Sequence, residues 1–327
     1  MKRILILLLL ITSFFFAGCK TAPVEKKDLT VYSPHSVLRN QNIDNSHELT
    51  IYFPSFMTKD SPFNNERMIQ GDGTIIFLPD GKCMIIDAFD PDSENQLTAF
   101  LHSLNISKID YLIASHNHKD HIGGMPELLE NFEIGQYFWN GVHFDTEIDK
   151  MVSQKLDDLK IPCNILTKGD KLSISKDNSC SLEVLWPEIT EEDKYNAFYN
   201  PGRTQRLKNN TSLVFKITYG NFSVLFTGDI YKQVDQKLVE LYGSKLESTV
   251  LKVPHHGDYY TANSPLFLKT VAPEISVILD NRYVNFIISS RYKKVKSNLL
   301  YRKSSGYIKI SSDGKDFNVT QSSFSKN

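Results

Sequence analysis

The sequence predicts an α/β protein of four layers, two sheets packed face to face with helices outside, an αββα sandwich. Three observations carry the prediction. From Leu49 onwards, short apolar runs of strand length alternate with stripes at helical spacing. Their order is strands, helix, strands, helix, strands, helix, which suits two covered sheets. No internal repeat or low-complexity tract breaks the pattern. The 327 residues are 41% hydrophobic and 23% charged, which excludes a disordered, collagenous or coiled-coil chain. A formal net charge of −1 excludes a polycation built throughout for nucleic acid. A chain this long can bury a core without metal or disulfide staples, so a metal site within it is expected to be chemical.

Residues 1–18 read as an export signal: Lys2 and Arg3, then an apolar run from Ile4 to Phe16 broken by Thr12 and Ser13, then Ala17 and Gly18. The run is short for a bilayer core of ~30 Å and lacks a stop-transfer flank. Phe16-Ala17-Gly18-Cys19 resembles a bacterial lipobox, with Phe16 where Leu is usual. That likeness implies a lipid on Cys19, a membrane as partner, and a place in the cell envelope, periplasmic or surface-facing. Residues 19–47 are polar and read as a tether, and 48–327 as one domain. With Cys19 lipidated, Cys83, Cys163 and Cys180 remain, so at most one disulfide can form, and Cys163 with Cys180 is the one candidate pair.

Within the domain, Leu49–Phe53, Thr74–Leu78 and Cys83–Asp87 read as strands, the last two joined by a Pro79-Asp80-Gly81 turn. Ser93 and Gln96 stand at capping-box spacing before a helix whose stripe is Leu97, Phe100, Leu101 and Leu104. Tyr111–Ala114 is a strand, and about 145–159 a helix. Strands follow at Asn164–Thr167, Leu182–Trp186, Ser212–Thr218 and Phe222–Thr227, then a helix at Tyr231–Tyr242 and a strand at Thr249–Val253. Trp139 and Trp186 read as core.

The strongest chemical signal is His116-Asn117-His118-Lys119-Asp120-His121-Ile122-Gly123-Gly124, directly after an apolar strand. Three imidazoles and a carboxylate this close are costly to pack unless a cation sits among them, and zinc takes those donors. Gly123 and Gly124 let the backbone wrap tightly.

This loop resembles the HxHxDH signature of the metallo-β-lactamase fold. Asp87, Thr227-Gly228-Asp229 and Lys252-Val253-Pro254-His255-His256-Gly257 follow in that fold's order, each at a strand's end. Gln70-Gly71-Asp72-Gly73, Lys168-Gly169-Asp170 and Asn209-Asn210-Thr211-Ser212-Leu213 are similar to the hydrolase domain of ComEC-type competence proteins and its secreted relatives, over about residues 48–280. The resemblance implies that Asp87 orients the loop and that Asp229 bridges two metals. One ion would take His116, His118 and Asp229, and the other Asp120, His121, Asp229 and His255. Zinc is the expected metal, as one or two ions, with manganese or iron as alternatives.

The chain departs from the general fold in having no further His between the loop and Asp229 except His143, which stands too early. Asn209 or Asn210 is expected to face the site instead, leaving the first position the weaker one. Ala88 and Phe89 follow Asp87 where Gly is common, and the later His-Pro expected around Asn285 is missing.

The implied chemistry is hydrolysis by metal-activated hydroxide. Asp120 orients the nucleophile, and His256 either hydrogen-bonds the substrate or acts as acid, or has a structural role. The expected substrates are phosphodiesters or related phosphorylated esters, small or polymeric anions, nucleic acid among them. Amide or lactone hydrolysis and ligand binding without turnover are the alternatives. Eight basic residues and no acidic one lie between Asn281 and Ser312, interleaved with tyrosines; they read as a solvated surface or as a phosphate-holding strip. Oligomeric state is not legible.

Overall fold

The computed structural model describes residues 47–60, 65–199 and 204–324. The signal peptide, Cys19 and most of the tether lie outside the described residues. The chain begins with β1 (Leu49–Ser55), a small hairpin of β2 (Met57–Asp60) and β3 (Asn65–Met68), then β4 (Thr74–Phe77) and β5 (Cys83–Ile86). There follow α1 (Glu94–Ser103), β6 (Lys108–Ile113), α2 (Lys119–Ile122), α3 (Met125–Asn131), β7 (Glu133–Trp139), α4 (Glu147–Asp158) and β8 (Cys163–Ile165). The middle holds β9 (Lys171–Ser173), β10 (Cys180–Trp186), α5 (Glu191–Tyr199), α6 (Thr204–Asn210), β11 (Val214–Tyr219) and β12 (Phe222–Phe226). Last come α7 (Lys232–Tyr242), β13 (Val250–Lys252), α8 (Pro265–Val271), β14 (Ile275–Ile278), α9 (Phe286–Lys294), β15 (Asn298–Tyr301), β16 (Gly306–Ser312) and β17 (Phe317–Ser323).

The first sheet has the order β17-β16-β1-β4-β5-β6-β7-β8, and the second β15-β14-β13-β12-β11-β10-β9. Alternation along each strand sends one set of side chains inward and the next outward. In β5, Met84 and Ile86 join Ile51, Ile76, Phe215, Val224 and Phe226 between the sheets. Cys83 and Ile85 turn to the outer face, under Phe100, Leu128 and Val152 of α1, α3 and α4. On the far side Leu225 and Leu251 lie under Leu238, Phe267 and Ile288 of α7, α8 and α9. The result is the expected α/β/β/α layering.

Several local expectations change. Ser93 makes no capping bond; its Oγ donates to the carbonyls of Ala88 and Asp90, and a 3-10 turn at Pro91–Ser93 leads into α1. Cys163 and Cys180 are free thiols on different sheets, so the candidate pair does not bond. Ser212 lies before β11, in the loop beside the site, and its Oγ accepts from the Asp229 N–H at 3.1 Å.

Candidate metal centre

Strands β5 and β6 run parallel in one sheet, and β12, β13 and β14 in the other. Their C-terminal ends meet on one rim, the place where such sheets leave space between diverging loops. Asp87 follows β5, the His-rich loop follows β6, Asp229 follows β12, His255 and His256 follow β13, and Asp280 to Arg282 follow β14.

Asp87 accepts from the Ser115 N–H at 2.7 Å and from Ser115 Oγ at 2.7 Å, which fixes the start of the His-rich loop. Its Oδ2 lies 2.8 Å from His121 Nδ1, leaving His121 Nε2 3.2 Å from Asp229 Oδ2. A carboxylate on one ring nitrogen sets the tautomer and aims the other nitrogen, as behind a metal-binding imidazole. His116 Nε2 lies 2.9 Å from His118 Nδ1 and 4.0 Å from Asp229 Oδ2. His116 and His121 are fully buried, and Asp229 is 2% exposed.

The two adjacent histidines occupy different places from those expected. His256 Nε2 lies 3.2 Å from Asp229 Oδ2 and 3.6 Å from Asp120 Oδ2, and its Nδ1 is 3.3 Å from Asp72 Oδ1. His255 Nδ1 instead meets Thr261 Oγ1 at 2.7 Å, and its ring packs on Tyr231 and Tyr283. The structure therefore draws His256 into the cluster and leaves the assigned ligand His255 on the rim. Both ring nitrogens of His256 are buried and face carboxylates. The cause is the backbone: His255 and His256 both take left-handed conformations, φ 46° and 52°, which turn the second ring inward.

Among the described residues, four groupings place their donor atoms within 4.8 Å of one another: His116 with His121 and Asp229, Asp120 with His121 and His256, Asp72 with Asp87 and His121, and Asp72 with Asp229 and His256. Asp72 was not among the expected site residues. It is 2% exposed, forms an ion pair with buried Lys252, and holds the back of His256. The segment Gln70-Gly71-Asp72-Gly73 carries part of the family likeness, but no role in the site was expected of Asp72 from it. His143 does not complete the first position; its Nδ1 pairs with Asp149 at 3.2 Å, and its ring packs on Trp139. Asn210 spends its carbonyl oxygen on the Tyr231 N–H at 2.9 Å, whereas Asn209 Oδ1 is buried without a partner.

Burial pushes the His116 imidazole well below its ordinary pKa, helped by the charges of His121 and His118. Burial takes His118 down to about 4, against the pull of Asp120. Both rings are neutral at pH 7, the state in which they bind metals. Around His121, burial is outweighed by Asp229 and Asp87, and around His256 by Asp229 and Asp72, so both rise well above the usual range. Asp120 and Asp229 fall well below the carboxylate range, because His256 and His121 outweigh their burial. The buried Asp229 Oδ1 and His118 Nε2 have no hydrogen-bond partner. Neutral imidazoles, ionised carboxylates and unused donor atoms fit a divalent cation, which would replace the protons on His121 and His256.

Residues 69–138 match the family model of the metallo-beta-lactamase superfamily. That segment is similar to the metallo-beta-lactamase superfamily, and the αββα layering around it agrees with that likeness. Among curated proteins, this chain is 28% identical to ComE operon protein 3 of Bacillus subtilis (strain 168) over 193 residues, 58% of this chain and 23% of that one. It is 26% identical to competence protein ComA of Neisseria gonorrhoeae over 179 residues, 54% of this chain and 21% of that one. The match thus spans under a quarter of either relative's length. Among solved structures, the metallo-beta-lactamase fold protein YhfI from Bacillus subtilis aligns over 77% of this chain and 95% of its own, with TM-score 0.47 and 13% identity. A diphosphatase from the PhnP family aligns over 81% of this chain and 98% of its own, with TM-score 0.45 and 12% identity. Among the described residues, no helix is long and apolar enough to cross a membrane.

Proposed function

We propose that this chain is an envelope-anchored, metal-dependent hydrolase of phosphodiesters or related phosphorylated esters, using zinc or else manganese or iron. The observation that carries the reading is the convergence of His116, His118, Asp120, His121, Asp229 and His256 at one rim of both sheets. Divalent cations held by these donors supply Lewis acidity and an activated water at neutral pH. The chain's own residues do the rest. Asp87 and Asp72 aim His121 and His256, Lys252 balances Asp72, and Asp120 faces the mouth of the site, where it orients the attacking water. Asn209, with its unused Oδ1, stands in the segment where the general fold has its further His, which favours phosphorylated esters over lactams. Anchoring through lipid on Cys19 is supported by the charged, apolar and small-residue succession of residues 1–19.

Elemental analysis of the purified protein, with turnover of bis-p-nitrophenyl phosphate set against nitrocefin, tests the activity. Bound metal with diester turnover is the expected result; nitrocefin hydrolysis without diester turnover would refute it. A lipid-modified Cys19 peptide in the membrane fraction, lost in Cys19→Ser, tests the anchoring.

A further inference from the structure

The basic residues between Asn281 and Ser312 do not form one strip in three dimensions. Arg291 donates to the carbonyls of Tyr259 and Asn263, Arg302 to those of Ser304 and Ser305, and Lys309 lies over the Tyr52 ring. Arg282 alone among them, within the described residues, reaches the metal centre. Its Nε meets Asp280 Oδ2 at 2.6 Å, Nη1 donates to Gln70 Oε1 at 2.9 Å, and Nη2 to Asp120 Oδ2 at 3.0 Å. Asp280 is itself 1% exposed and also accepts from the Gly71 N–H at 3.0 Å, so the guanidinium is fixed from behind.

A guanidinium has five N–H donors, and these contacts use three. One hydrogen on each of Nη1 and Nη2 remains, on a side chain that is 30% exposed. Asp72, Asp87, Asp120, Asp229 and Asp280 crowd the same rim, a hostile field for an anion, and Lys252 is buried against Asp72. When a cation shares the charge of Asp120, the charge of Arg282 is left less compensated and faces the mouth.

We propose that Arg282 is an anion-binding residue of this site, its free Nη hydrogens holding a non-bridging oxygen of a phosphorylated ester whose scissile bond lies over the metal centre. It thereby selects anionic esters over neutral ones. Planar, paired N–H donors suit a phosphate better than an ammonium does. The proposal rests on the hydrolase reading above.

The test uses the zinc-loaded full-length protein and its Arg282→Gln and Arg282→Lys variants. Three quantities are measured: inorganic phosphate binding by calorimetry, metal content, and kcat and KM for bis-p-nitrophenyl phosphate and p-nitrophenyl acetate. For Arg282→Gln, phosphate affinity should fall about tenfold, and the ratio of diester to acetate kcat/KM should fall by a similar factor, mainly through KM. Metal content should hold, and Arg282→Lys should recover part of the binding. Equal losses on both esters, or metal lost in step with activity, would overturn the proposal and leave Arg282 as a support for Asp120. Phosphate binding that depends on Arg282 in a protein inert toward diesters would uphold the anion site and remove the hydrolase reading.

Discussion

Gly71 is the point at which the smallest change should do the most damage. Its φ is +96°, and a Cβ added there would stand 1.7 Å from the carbonyl oxygen of Asp120, against 3.4 Å for ordinary contact. The two backbones must part by about 1.7 Å, yet the Asp72 N–H donates to that same oxygen at 3.1 Å. Gly71→Ala therefore moves the residue that presents Asp120 and the one that backs His256. Left-handed strain of about 1–2 kcal/mol and overpacking of about 1–3 kcal/mol add to about 2–5 kcal/mol of lost stability. Displaced supports should weaken metal binding about 10- to 100-fold. Gly81→Ala is the control, since φ there is +83° with nothing within 4 Å of the added Cβ. Urea unfolding and zinc retention against a graded chelator read both quantities. If Gly71→Ala matches Gly81→Ala in stability and in zinc retention, the close approach of Gly71 to Asp120 has no consequence and the reasoning fails.

Three further outcomes are expected. His256→Ala should strip metal at chelator concentrations that leave His255→Ala loaded, as read by elemental analysis; the reverse order would return His255 to the centre. Lys252→Met should cost about 3 kcal/mol by leaving the buried Asp72 with His256 alone beside it, and Lys252→Met/Asp72→Leu less than the two single losses together, measured as a double-mutant cycle in urea. Asp235, fully buried and accepting from the Ser264 N–H and Oγ, has its pKa pushed up to about 6 by burial, against the help of Ser264. The folded state then holds a proton that the unfolded state releases near 3.8, so this contribution is whole below that pH and lost as pH rises to about 6. Asp235→Asn should accordingly raise the melting midpoint at pH 7.5 more than at pH 4.5, by scanning calorimetry.

The sandwich and the His-rich loop were legible because their signals are local. Met84 and Ile86 alternate with Cys83 and Ile85 over a few residues, and three imidazoles with a carboxylate in six positions have few uses but a cation. Asp72 was legible only as part of Gln70-Gly71-Asp72-Gly73; its role was not, since that depends on Lys252 and His256, far along the chain. The choice between His255 and His256 turns on two left-handed residues after Pro254, which the string His-His does not encode by pattern. The run of cations after Asn281 left two readings open because sequence does not show where each one faces: Arg282, Arg291 and Lys309 meet three different surroundings once α9 and β16 have turned them apart.

β1 lies between β4 and β16, with Leu49 opposite Ser312. Its first neighbour is made soon after it, but its second is among the last segments to be synthesised. Until then the flank of a strand buried at every position stays bare, however complete the metal-binding loop may be. Closure of the first sheet is thus a late, long-range event, of the kind that slows folding. A protein truncated before Gly306 would keep every residue of the metal centre and still expose a sticky edge.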